Sequence, residues 1–130
     1  MTLRIWDFSG EHNATTSTQL EEVLTARYRN GINGFWLAHG DEKNPTLALL
    51  VNGNLSTVTY FPTKSHPGYI PSEGAEDLDE GGTTTFSIDT IENKTEVPNG
   101  QVISFAQALA VAQEFLSSKE LPRTIEWTEL

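Results

Sequence analysis

From Thr2 to Phe8 the chain alternates, with Leu3, Ile5 and Asp7 on one face and Arg4, Trp6 and Phe8 on the other, which predicts a short strand. A polar stretch follows. The period then lengthens: Leu20, Val23, Leu24 and Tyr28 recur at helical spacing, predicting an amphipathic helix over 18–29. Thr18-Gln19-Leu20-Glu21 has the capping-box form, in which hydroxyl and carboxylate satisfy free backbone N–H groups, and Asn30-Gly31 supplies a stop.

Gly34-Phe35-Trp36-Leu37-Ala38 and Thr46 to Val51 are compact apolar runs that read as strands, separated by a loop from Gly40 to Pro45. Asn52-Gly53 then marks a hairpin, because both residues tolerate the positive φ of a tight turn. The returning strand is Leu55 to Phe61, with Val58 and Tyr60 facing opposite to Leu55, Thr57, Thr59 and Phe61.

Pro62 to Gly82 holds three prolines and four glycines, and reads as a long loop. Strand character resumes from Thr83 to Asp89, and Glu92 to Gly100 is a connector with room for a short strand before Pro98. Ser104-Phe105-Ala106-Gln107 is a second capping box. Behind it Phe105, Ala108, Leu109, Ala112, Phe115 and Leu116 trace a helical stripe to about Ser117. Leu121-Pro122 ends that region and Thr124 to Trp127 is a last short strand. The order predicts a single α+β domain over 1–130, a mostly antiparallel sheet with two helices packed on one face.

The chain has 130 residues, no cysteine and a formal net charge of -10. Without cysteine there are no thiol nucleophiles, zinc–thiolate sites or disulfides. The N-terminus carries no apolar run of signal-peptide length, so the expected compartment is the cytoplasm, and the Asn-X-Ser/Thr triplets at Asn13, Asn54 and Asn93 carry no weight as glycosylation sites. Eighteen carboxylates against eight Lys and Arg argue against direct contact with nucleic acid or an anionic membrane. They point to a basic partner, although acidic charge also serves solubility.

Candidate chemistry is sparse. His12, His39 and His66 stand in turns 27 residues apart and form no ligand spacing, so no metal or other cofactor is expected. No glycine-rich phosphate loop opens a helix, and no serine sits in a nucleophile elbow. Glu73 to Glu80 lacks the ligand alternation of a calcium loop. Trp6, Trp36 and Trp127 read as core residues. Tyr69, between Pro67-Gly68 and Ile70-Pro71 and beside the acidic run, has the makings of an interface anchor, with packing onto the sheet as an equal alternative.

Several fragments taken in order carry a resemblance: Gly34-Phe35-Trp36-Leu37, Leu49-Leu50-Val51-Asn52-Gly53, Tyr60-Phe61-Pro62, His66-Pro67-Gly68-Tyr69, Gly82-Thr83-Thr84-Thr85-Phe86, Val97-Pro98-Asn99 and Leu121-Pro122-Arg123-Thr124-Ile125-Glu126-Trp127. Together they resemble the first-numbered immunity-protein family of bacterial polymorphic toxin systems, from about Gly31 to the C-terminus. The resemblance implies an α+β protein without catalytic activity. Such a protein binds and blocks a cognate toxin domain, often a nucleic-acid cytosine deaminase.

On that reading the partner is a basic, deaminase-type toxin domain, met by an acidic surface that stands in for the nucleic-acid backbone. The free protein is expected to be a monomer. The contact segment is placed at Tyr69, Glu73, Glu76, Asp77, Asp79 and Glu80, where five carboxylates in eight positions repel one another and favour disorder until docking. A solvated loop facing away from the partner is the rival. Two other functional classes stay open: a small metal-dependent hydrolase or nucleotide-processing domain using His39 or His66 with nearby carboxylates, and an acidic structural module without a tight partner.

Overall fold

A computed structural model describes residues 2–130. Its elements are β1 (Leu3–Asp7), β2 (Gly10–Ala14), α1 (Ser17–Thr25), β3 (Ile32–His39), β4 (Thr46–Asn52), β5 (Leu55–Phe61), β6 (Tyr69–Pro71), β7 (Thr83–Ser87) and β8 (Lys94–Pro98). A 3₁₀ turn at Asn99–Gln101 leads to β9 (Ile103–Ser104), α2 (Phe105–Ser117) and β10 (Trp127–Glu129). The main sheet runs β10-β6-β5-β4-β3-β1-β2, with β9 added to β5, and its pairings are antiparallel. A second ribbon, β7–β8, forms a two-stranded sheet of its own, joined to β4 by the Asn52 side-chain amide, which donates to the Thr85 carbonyl at 2.9 Å. This is the α+β architecture that the element order predicts.

Strand alternation decides which residues form the core. Leu3, Ile5, Phe35, Leu37, Leu47, Leu49, Val51, Val58 and Tyr60 share one face, and against it pack Leu20 and Leu24 of α1 and Ala108, Val111, Ala112, Phe115 and Leu116 of α2. Burying each large apolar side chain contributes roughly 1.5–3 kcal/mol, so this two-helix layer carries most of the stabilisation. On the other face Leu50 meets Phe86 and Val102, with Trp36, Leu55, Leu78 and Val97 at the margin. The β7–β8 ribbon therefore caps part of the face that the helices leave open.

Four elements differ from the sequence reading. The polar stretch after β1 is a strand, β2. The Asp7 carboxylate accepts from the Ser9 and Gly10 N–H groups at 2.8 and 3.0 Å, and Gly10 takes φ +138°, closing a hairpin that hydrophobicity does not signal. Helix α1 is capped at Thr16, not Thr18. Thr16 Oγ1 accepts the Gln19 N–H at 3.1 Å, while the Gln19 amide oxygen accepts the Thr15 N–H at 2.8 Å.

The same helix stops at Thr25, earlier than expected, because Arg27 donates to the Leu24 and Ala26 carbonyls and Asn33 donates to Ala26. Asn30 and Gly31, at φ 54° and 78°, belong to the turn into β3. The Pro62–Gly82 loop contains strand β6, and the final strand begins at Trp127, pairing Trp127, Thr128 and Glu129 with Pro71, Ile70 and Tyr69.

Candidate functional site

Tyr69 lies on β6 between β5 and β10, half-buried. Its ring stacks on His66 with centroids 5.0 Å apart and planes 6° from parallel, and meets Tyr60 at 6.1 Å. It packs against the main core and also lines a surface groove. Desolvation, and then the neighbouring Glu129 carboxylate, push its phenol above the ordinary range. His66 donates through Nε2 to Glu129 at 2.7 Å, a hydrogen bond that holds the Glu129 carboxyl below its ordinary value.

The acidic run is tied to the neighbouring 99–102 segment by backbone contacts. Ala75 N–H donates to Val102 at 2.8 Å, Gly82 N–H to Asp79 at 3.0 Å, and the Asn99 amide to the Asp79 carbonyl at 2.8 Å. Gly74 lies so close to the Asn99 carbonyl that a Cβ would fall 2.0 Å from it. Leu78 is the apolar peg, packed at the second core cluster. Backbone bonds and one half-buried leucine tether the run, with Glu73, Glu76, Asp77, Asp79 and Glu80 exposed on it.

Two grooves bring this frame towards the C-terminal strand. One, of about 600 Å³, is floored by Tyr69, Leu121, Ile125 and Trp127 and edged by Glu120, Glu126, Glu129 and Arg123. The other, of about 530 Å³, runs between Glu73, Glu76 and Asp77 on one side and Gln107 and Thr124 on the other. Ile125 and Glu126 line both.

Tyr69, Glu73, Glu76 and Asp77 therefore belong to one connected surface. Glu80 lines a third hollow beside Asn99, which shares Glu73 and Glu76 with the second groove, while Asp79 lines none of the three. Glu120, Leu121, Ile125 and Glu126 are not among the contact residues expected from the sequence, since they meet the acidic run only through the fold. Their available signal was apolar Ile125 and Trp127 alternating around Glu126 just after Leu121-Pro122.

The tryptophans are half-buried rather than fully internal. Trp6 stands across from Trp36 in register and carries the Arg4 guanidinium 4.6 Å over its ring. Trp127 packs on the main core and donates its indole N–H to the Pro122 carbonyl at 2.6 Å.

The histidines have three separate environments. His12 faces Asp7 at 3.2 Å. Burial pushes the Asp7 carboxyl up, but hydrogen bonds from Ser9, His12 and Asn33 together outweigh this and hold it low. His39 is buried, 4% exposed, and its Nε2 donates to the Phe115 carbonyl at 2.8 Å. His39 and His66 share no partner. Among the described residues no three His, Asp or Glu side chains are grouped to hold a metal ion, so the hydrolase reading finds no assembled site. No described helix is long and apolar enough to cross a membrane.

Matches to known proteins run along nearly the whole chain. A double-stranded DNA deaminase immunity protein from Burkholderia cenocepacia (strain H111) is 25% identical over 124 residues, covering 95% of this chain and 97% of that protein. The family model described as immunity protein Imm1 matches residues 9–129. With nearly its whole length matched, and with the α+β fold in place, this chain belongs to the Imm1 immunity protein family.

Proposed function

We propose that this protein neutralises a deaminase-type toxin by binding it in a stoichiometric complex, and that it catalyses no reaction itself. The observation that carries the reading is the Imm1 match across residues 9–129, supported by the relative that is a double-stranded DNA deaminase immunity protein. Charge supplies the physical logic. An enzyme that acts on nucleic acid needs cationic surface to hold phosphates, and a protein with net charge -10 can occupy that surface in place of the substrate. Opposed fields of this kind raise association rates roughly 10- to 1,000-fold, an effect that falls with salt.

Tyr69, Glu73, Glu76, Asp77, Asp79 and Glu80 are the contact residues on this reading. Their tethered frame presents carboxylates without a large ordering cost on docking. The partner is basic, the free protein is a monomer, and both roles are carried out in the cytoplasm of the producing cell, where the toxin must be stopped before it reaches DNA.

Co-expression tests the proposal. Cells producing the toxin domain encoded beside this gene survive when the chain is present, and the two purify as a 1:1 complex. Cell death despite a soluble, folded chain would contradict it.

A further inference from the structure

We propose that the groove between the 120–126 segment and β10 seats a lysine or arginine side chain of the bound toxin, with Trp127 as the platform beneath the cation and Glu120 and Glu126 as its counter-charges. The proposal rests on the reading that this chain binds a toxin, and adds where the anchoring contact lies and what chemistry it takes.

Three observations converge on a cationic occupant. The floor is aromatic and aliphatic yet already anchored: Ile125 and Trp127 pack on the main core beneath while lining the open groove above. The indole N–H, the one polar atom of Trp127, is committed to Pro122 at 2.6 Å, so the ring is fixed and asks nothing further of a ligand. A preset ring loses little rotamer freedom on binding, and its face attracts a lysine or arginine.

The rim settles the sign of the charge. Glu120, Glu126 and Glu129 line the groove, and among the described residues Arg123 is its one cation. Glu129 is engaged by His66, whereas among the described residues Glu120 and Glu126 have no ion-pair partner. A neutral occupant would desolvate these carboxylates without compensation and an acidic one would be repelled, but a cation pairs with them. Through Ile125 and Glu126 the groove continues into the one lined by Glu73, Glu76 and Asp77, so a basic segment of the partner meets carboxylates along both.

The test uses the full chain and the toxin domain encoded beside it. Association and dissociation are followed over a salt series for wild type, for Glu120→Lys with Glu126→Lys, and for Glu21→Lys with Glu22→Lys, an equal charge change on exposed positions of α1. The groove variant should associate about tenfold more slowly at low salt, with a flatter salt dependence and faster dissociation, while the α1 variant stays near wild type.

Trp127→Leu should speed dissociation more than Trp127→Phe at equal thermal stability. Groove and α1 variants that behave alike, or a groove variant that binds as wild type does, would overturn the assignment while leaving the immunity reading standing. Failure of the wild-type chain to bind the toxin would overturn both.

Discussion

The rings of His66 and Tyr69 lie face to face, 5.0 Å apart and 6° from parallel, directly beside the C-terminal strand. Gly68 N–H donates to His66 Nδ1 at 2.8 Å, so the proton of the neutral imidazole sits on Nε2 and is donated to Glu129. One side chain thus orders the 66–69 turn and fastens β10 to β6. His66→Ala should leave the β3–β5 core intact and speed amide exchange at Thr128 and Leu130 several-fold, read by hydrogen–deuterium exchange. Unchanged exchange there would show that the strand pairing alone holds the C-terminus.

Gly74 is the tightest point under the acidic run. A methyl group at this position would enter the Asn99 carbonyl, a backbone atom that cannot rotate away. Gly74→Ala should therefore lower the melting temperature and detach residues 73–80 from the 99–102 segment. Loss of exchange protection at Ala75, whose N–H now bonds to Val102, is the specific readout.

The capping assignment of α1 makes a paired prediction. Thr16→Ala should destabilise the protein by about 1 kcal/mol, the usual cost of removing a side-chain N-cap, while Thr18→Ala should change little. Denaturant melts of the two variants separate the structural cap from the one suggested by the Thr18-Gln19-Leu20-Glu21 pattern.

That contrast shows where the sequence was legible. Asn52-Gly53 names its turn, and the core-facing alternation of Leu47, Leu49 and Val51 before it fits the register that results, with Asn52 opposite Leu55. Ser104 and Gln107 form the reciprocal box that their spacing implies, and α2 ends at Ser117 as read. Strand β2 escaped because Gly10-Glu11-His12-Asn13-Ala14 buries only Ala14, so an edge strand held by a turn leaves no hydrophobic signature.

Strand β6 was not legible around Tyr69, since three residues ending in proline carry no period. The groove was the least visible. Its walls come from 73–77 and 120–129, and only the β6–β10 pairing brings them together.

His39 predicts a pH dependence. Burial lowers its pKa below the ordinary 6.5, outweighing the bond to Phe115 that favours protonation, with Lys119 lowering it further and Glu42 opposing. A second proton would sit on Nδ1, which is buried without a partner. The unfolded chain then binds more protons than the folded one below 6.5, so stability rises with pH. The contribution is complete above 6.5 and is lost as the pH falls through the lower folded value. Melting temperatures from pH 8 down to about 5.5, above the main carboxylate range, should decline in wild type and decline less in His39→Gln.

The claim that this molecule acts by occupying a toxin is tested most directly by titrating it into a deamination assay of the toxin domain encoded beside it. Activity should fall linearly and vanish at one equivalent, with inhibition weakening as salt rises. Persistent deamination at molar excess, or turnover of a substrate by the isolated chain, would contradict the account.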